Sequence, residues 1–438
     1  MVAAATPPGR GGVAIVRISG ADARGIGERM LGSLPAARVA MRATFRDDDG
    51  TAVDNGLALW FPAPGSYTGE DVLELHGHGG PVVVAALIEA AVQLGARRAD
   101  AGEFSRRAFL NDKLDLTQAE AVADLIDSGT RQAARAALRS LSGEFGRAVD
   151  ELLERLTRLR LHVEAAIDFP EEEIDFLSDR QLVRRVDEVA GAFDALSAKV
   201  RTGRLLRDGL QVVIVGRPNA GKSSLMNRLA GQEAAIVTEL AGTTRDVLRE
   251  QIDLGGVRVD LVDTAGLRED PDRIEAEGIR RAREALVHAD IVLWVVDASA
   301  GAAAAQAPPE PLPADVPVLT VRNKIDLCSV VPPAGDRDVA LSATTGAGLD
   351  DLRAAIRTLA GIGDAGEGSF TARRRHVDAL GRAREHFDRG VAALNQARAG
   401  ELFAEELRLA QAALSEVTGR FTSDDLLGRI FAEFCIGK

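Results

Sequence analysis

The chain has 438 residues, 46% hydrophobic and 27% charged, with a formal net charge of −13. That length exceeds what one hydrophobic core organises, about 250 to 300 residues, so roughly two to four domains are expected. The acid excess argues against broad nonspecific nucleic-acid binding, which needs clustered Lys and Arg, though not against a local basic surface, and no apolar run reaches the roughly 18 to 20 residues of a membrane span. The first residues lack the basic start and long apolar segment of a secretory signal. Cys328 and Cys435, the two cysteines, are too few for a disulfide framework. A cytoplasmic protein with no membrane association is the expectation.

From the start to about residue 116, short apolar runs at 13–18, 56–61 and 71–75 alternate with turn residues, and 82–94 reads as a helix. This predicts a small α+β domain. Beyond it the spacing becomes helical. Leu138, Leu141, Phe145, Val149, Leu152, Leu156, Leu159 and Val163 put one apolar stripe on a long helix, which needs a helical partner. Candidates lie at the far end of the chain, where Val377, Leu380, Phe387, Val391 and Leu394 recur at the same spacing, followed by more helical sequence to Phe434. Between these regions, apolar runs at 212–215, 257–262, 291–296, 316–321 and 339–341 alternate with helical sequence, the pattern of a parallel sheet. The expected order is an α+β domain at 1–116, a helical domain begun at 117–209, an α/β domain inserted at 210–359, and the rest of the helical domain at 360–438. Hinges are expected near 201–209 and 360–369.

The inserted segment carries the chemistry. The 212–215 strand runs into GRPNAGKSS at 216–224, which fits G-x-x-x-x-G-K-[ST] between a strand and a helix. Glycines there let backbone N–H groups converge on phosphate oxygens, Lys222 offers a cation, and the Ser223 hydroxyl suits magnesium. Asn219, Ala220, Gly221 and Ser224 complete the loop. DTAG follows the second strand, with Asp263 for magnesium-bound water, Thr264 and Ala265 in the turn, and a Gly266 N–H for the γ-phosphate. NKID follows a later strand as Asn323, Lys324, Ile325 and Asp326. A carboxylate such as Asp326 accepts from guanine N1–H and its amino group, a donor pair adenine lacks. Ser342, Ala343 and Thr344 would close over the base. GTTRD is a natural switch I, with Gly242, Thr243 and Thr244, the last joining Ser223 on magnesium. These motifs predict a GTP-hydrolysing domain. Leu267, where Ras-type proteins place a water-orienting Gln, cannot position water, and the residues alone leave Glu269, Glu275 and Glu277 open for that task.

These motifs resemble the tRNA wobble-uridine modification GTPases called MnmE or TrmE. TPPGRGG from Thr6, TGEDVLELHGHGG from Thr68, GEFSRRAFLNDKLDL from Gly102, DFPEEEIDF from Asp168 and the terminal FCIGK from Phe434 extend the likeness along the whole chain. The resemblance implies an N-terminal domain that dimerises and binds a one-carbon tetrahydrofolate, a helical domain and a Ras-like G domain within it. It implies a complex with a flavin-containing partner, MnmG, that places an aminomethyl-type group on C5 of the wobble uridine of tRNA. Carried over by position, the folate contacts fall on Arg17, Glu74, Lys113 and Lys438, and Cys435 matches a cysteine associated with the modification step; otherwise Cys435 reads as a small buried hydrophobe, and Cys328 as core. The nucleotide loop extends back over Thr238, Glu239, Leu240 and Ala241. Potassium replaces an arginine finger, on the Asn219 side chain and the carbonyls of Thr238, Leu240 and Thr243, and the catalytic carboxylate falls on Glu275. A regulatory GTP switch in ribosome or cofactor assembly shares the nucleotide motifs but not the N-terminal block or FCIGK.

Overall fold

A computed structural model describes residues 1–168, 180–231, 249–263, 285–300, 312, 316–330, 335, 337–361, 368–397, 399–420, 424–432 and 434–437. They gather into two compact units. One comprises Met1–Ala123, Ser140–Val189 and Ala379–Lys438, the other Asp124–Arg139 and Ala190–Asp378.

In the first unit β1 (Val2–Ala4), β2 (Gly11–Ser19), β3 (Met41–Arg46), β4 (Ala52–Phe61) and β5 (Val72–Gly79) form a sheet in the order β1-β2-β5-β4-β3. Its pairings are antiparallel. Alternation sends Val16, Ile18, Leu73 and Leu75 into a core shared with α1 (Ala23–Leu31) and α2 (Pro81–Gln93). Each such side chain, fully buried, contributes about 1.5–3 kcal/mol. The predicted 82–94 helix is α2, opened by Pro81 in the first turn, where its missing N–H costs nothing. The sequence reading missed β3, where Phe45 alone is buried and polar residues alternate with it. α3 (Glu103–Leu110) follows.

The expected single long helix is two, α5 (Arg131–Leu141) and α6 (Glu144–Asp168), after α4 (Leu116–Ile126). Gly143, at φ +82°, breaks the run in a conformation a helix interior does not allow. Phe145, Val149, Leu152, Leu156, Leu159 and Val163 are buried along α6, whereas Leu138 on α5 is 56% exposed. α7 (Arg180–Asp208) continues through the predicted hinge at 201–208 and stops at Gly209, φ +80°. Its last turns are structural: Leu205 and Leu206 are buried in the core of the second sheet.

That sheet comprises β6 (Leu210–Gly216), β7 (Arg249–Leu254), β8 (Val257–Asp263), β9 (Ile291–Asp297), β10 (Val318–Asn323) and β11 (Asp338–Ala340), in the order β11-β10-β9-β6-β8-β7. All neighbours run parallel except β7 with β8. The five predicted strands are present. The sixth, β7, reads REQIDL, where only Ile252 and Leu254 face the core, too weak a run to stand out. α8 (Lys222–Ala230) and α9 (Leu349–Leu359) pack on it.

α5 also packs on this core, through Ala136. The β7–β8 turn, Gly255 at φ +65° and Gly256 at φ +91°, meets the start of α5. There the Thr130 hydroxyl donates to the Gly256 carbonyl at 2.7 Å and accepts the Ala133 N–H at 3.1 Å. Asp124, 5% exposed, accepts from Arg207 at 3.1 Å and from Arg373 at 2.9 Å. The remaining helices are α10 (Arg374–Ala397), α11 (Gly400–Thr418) and α12 (Asp424–Ala432). The partner lying along α6 is α11, where Gln411 takes a hydrogen bond from Arg160 and donates to the Thr157 hydroxyl at 2.7 Å.

Candidate functional site

The order of the second sheet reverses at β6, between β8 and β9, and the carboxyl ends of strands at such a point open a crevice for ligands. β6 delivers the 216–224 loop there. Gly216 passes so close to β9 that a Cβ would sit 2.4 Å from the Val295 carbonyl. Asn219 takes φ +63° and is exposed. Gly221, at φ +92°, precedes α8, and a Cβ on it would meet the Asn323 amide at 2.2 Å. Lys222 begins α8 and is 6% exposed, its Nζ donating to the carbonyls of Gly216 at 2.8 Å and Arg217 at 2.9 Å. The loop therefore wraps its own ammonium next to a helix N-terminus, an arrangement that favours anions. Ser223, exposed on the next position, donates its hydroxyl to Asp263 Oδ2 at 3.1 Å from the end of β8. A hydroxyl and a fully buried carboxylate so placed suit a hard, oxygen-seeking divalent cation such as magnesium.

The base side is built at the ends of β9 and β10. Asn323, 2% exposed, is a clamp: its Nδ2 donates to the Ala220 carbonyl at 2.9 Å, and its Oδ1 accepts the N–H groups of Lys324 at 2.8 Å and Ala343 at 3.0 Å. One side chain thereby ties the phosphate loop to both base loops. Lys324 sits at φ +67° with its ammonium 2.6 Å from Asp297 Oδ2. Burial alone would raise the Asp297 carboxyl, but hydrogen bonds from Lys324 and Ser299 outweigh it and hold the carboxyl below its ordinary value. Asp297 was not among the expected site residues; the signal for it was an acid closing the apolar run IVLWVVD. Asp326 is exposed in the short turn Ile325–Leu327, open to a base. Ser342 and Ala343 are buried, Thr344 and Ser224 exposed. Cys328 is half-buried rather than core, its thiol 3.7 Å from the Lys324 carbonyl.

Thr238, Glu239, Leu240, Ala241, Gly242, Thr243 and Thr244 of the predicted switch I and potassium loop lie outside the described residues. So do Thr264, Ala265, Gly266, Glu275 and the terminal Lys438.

On the first sheet, Arg17 and Glu74 meet across β2 and β5 in register, Nε to Oε1 at 2.8 Å. The Arg17 guanidinium lies 5.4 Å from the Tyr67 ring centroid and 5.6 Å from that of Phe104, within cation–π range. Lys113 reaches back to the Pro64 carbonyl at 3.0 Å and packs beside Gly69, so it borders the same 62–71 loop that supplies Tyr67. The thiol of Cys435 is exposed, not a buried hydrophobe. Its carbonyl accepts the Gly102 N–H at 3.4 Å, Ile436 bridges Ala101, and Gly437 at φ +98° packs against the Ala4 backbone.

A parallel sheet with a glycine loop and lysine after its first strand, an acid closing β8 and an Asn-Lys-x-Asp turn after β10 defines a P-loop GTPase. A model of the MnmE helical domain matches residues 116–435, a span that contains this sheet, and a model of the GTP-binding protein TrmE N-terminus matches residues 1–113. The chain belongs to the MnmE/TrmE family of tRNA-modification GTPases and is a GTP hydrolase of that family. Among solved structures, an Era variant from Aquifex aeolicus bound to GDP·AlF4− is 26% identical over 41% of this chain and 66% of its own, with a TM-score of 0.26. The G domain of the T. maritima FeoB iron transporter is 23% identical over 34% and 98%, TM-score 0.24. The FeoB G domain from Methanococcus jannaschii is 20% identical over 35% and 97%, TM-score 0.25. At those scores the assignment rests on the family models. Among the described residues, no helix is long and apolar enough to cross a membrane.

Proposed function

We propose that this protein couples GTP hydrolysis to modification of C5 of the wobble uridine in tRNA, as a homodimer working with a flavin-containing MnmG-type partner and a one-carbon tetrahydrofolate. Family membership supports the tRNA reading, and the observation that carries the nucleotide half is the Asn323 clamp joining the phosphate loop to the base loops. Ser223 and, through water, Asp263 would hold magnesium, whose charge offsets that developing on the phosphates. Asn219, on the exposed outer turn of the loop, would offer its side-chain oxygen to potassium, together with carbonyls of Thr238, Leu240 and Thr243. Glu275 would orient the attacking water. Asp326 selects guanine by accepting its two donors. Arg17, Glu74, Lys113 and Lys438 would hold the folate: a carboxylate suits the donor edge of a pterin, and cations suit its glutamate tail. Cys435 is assigned to the modification step by its match to the family's C-terminal cysteine, and its exposure is compatible with that role. The proposed domains are 1–116, 117–209 with 360–438, and an inserted 210–359.

Steady-state GTP hydrolysis in potassium and in sodium at equal ionic strength tests the reading, with Asn219→Ala and Glu275→Ala in parallel. Faster turnover in potassium, lost in both variants, is the expected result; equal rates in the two salts would remove the potassium site and leave a GTPase of another mechanism.

A further inference from the structure

The N-terminal sheet face opposite α1 and α2 carries, besides Arg17 and Glu74, two histidines that no role above uses. On β5, Glu74, His76 and His78 alternate with the buried Leu73 and Leu75, so the three share one face. Opposite them in register stand Arg17 and Ile15 of β2 and Leu59 and Leu57 of β4, the last 46% exposed. The face thus has a polar central strand with Arg17 and Ile15 on one side and Leu57 and Leu59 on the other, a surface suited to a flat heterocycle with polar edges. Glu74 is the pivot of one polar group, with Arg17 at 2.8 Å and His76 Nε2 at 3.2 Å.

A second group closes the strand. Nδ1 of His78 lies 2.7 Å from Asp54 Oδ1, and the His78 backbone N–H donates to Asp54 Oδ2 at 2.8 Å. The Asp54 side chain is 8% exposed and that of His78 is 67% exposed. Burial alone would raise the Asp54 carboxyl, but hydrogen bonds from the His78 N–H, the His78 ring and the Asn55 N–H outweigh it and keep the carboxyl below the usual range. Asp54 is therefore an acceptor at neutral pH. A neutral imidazole facing it keeps its proton on Nδ1 and turns an unprotonated Nε2 to solvent. The backbone N–H already satisfies Oδ2, so the contact through Oδ1 adds orientation of an exposed ring.

The geometry points to His78 as a proton-transfer group for the one-carbon folate, with Asp54 as its positioning residue. The inference rests on the folate reading above. His78 stands four residues beyond Glu74, about 13 Å along the strand at roughly 3.3 Å per residue, a span that a fused two-ring heterocycle and its linker can bridge. Nε2 of the neutral ring takes a proton from the attacking amine and passes it to the carrier nitrogen bonded to the one-carbon unit: an N–H bond breaks on the amine and one forms on the carrier, the carbon's bond to that nitrogen breaks as its bond to the amine forms, and Nδ1–H stays against Asp54. Nothing is oxidised or reduced.

The test uses the full-length chain with ring-¹⁵N-labelled histidine, 5-formyltetrahydrofolate as a stable probe, and methylenetetrahydrofolate as donor to an added amine. In the parent, His78 is expected as the Nδ1–H tautomer, with its Nε2 resonance moved by the probe. Asp54→Asn is expected to scramble that tautomer, because an amide can present its NH2 to Nδ1. His78→Gln and Asp54→Asn are expected to bind the probe within about 3-fold of the parent yet to slow one-carbon transfer by about 10²- to 10⁴-fold. Probe binding that leaves the His78 resonances unmoved, or parent-like transfer by both variants, overturns the inference alone. If the parent does not bind the probe and Arg17→Ala changes nothing, the folate reading falls and this inference with it. The resonance measurement needs only the parent chain, so it decides even where Asp54→Asn fails to fold.

Discussion

Asn323 spends all of its described hydrogen bonds on the protein, one to the phosphate loop and two to the base loops. Replacing it with Asp sets a carboxylate oxygen against the Ala220 carbonyl, two acceptors face to face. Asn323→Asp is therefore expected to cost about 1–3 kcal/mol of stability and to weaken GTP binding, as read by denaturant unfolding and fluorescent-nucleotide titration; parent-like values in both would refute the clamp. Glu103 supports a second residue-level prediction. Burial opposes its charge, but hydrogen bonds from Arg97, the Asp100 N–H and Arg107 bring its carboxyl from 4.5 down to about 2. The folded state thus holds its proton more weakly than the unfolded chain, so its contribution to stability is complete above about pH 4.5 and is lost as pH falls toward 2. Glu103→Gln should flatten that acid limb of the pH–stability curve and leave the curve near pH 7 merely lowered. The motif residues were legible in the sequence because phosphates and guanine dictate residue types at fixed spacing. Asp297, His78 and Asp54 were not, because their roles arise from neighbours on other strands.

The β7–β8 hairpin connects two stretches of chain that the sequence reading assigns to the switches, and its tip is fastened to α5. A Cβ on Gly256 would lie 1.8 Å from Gln132 Oε1, and its φ of +91° disfavours any side chain. Gly256→Ala should lower stability by more than Thr130→Val, for which the lost cap and hydrogen bond cost about 1–2 kcal/mol. Adding Gln132→Ala to Gly256→Ala should restore part of the loss by relieving the clash while leaving the φ strain. Urea unfolding of the parent, the three single variants and the double variant tests this, and strict additivity would contradict it. Strands with continuous apolar runs, such as IVLWVVD, were readable from sequence, whereas the half-polar β3 and β7 were not. The single helix expected across residues 138–163 failed at Gly143 because periodicity continues through a break that one left-handed residue imposes.

At the scale of the molecule, the family signatures and the alternation of strands and helices made the fold class legible in advance. The grouping of segments was not legible. Residues 124–139 join the parallel sheet through contacts such as Thr130 with Gly256, 126 positions away, and no local pattern announces a partner so distant. The two units are interleaved along the chain, which passes from one to the other after Ala123, Arg139, Val189 and Asp378. This interleaving sets an order of events during synthesis. The nucleotide-binding unit has all its segments once Asp378 has emerged, while the unit begun first still lacks α11, the helix that lies along α6. At about 5–20 residues per second, synthesis from the end of α6 to the end of α11 leaves the α6 stripe uncovered for roughly 12–50 seconds, an interval in which a chaperone, or the neighbouring nascent chain on the same message, has access to it.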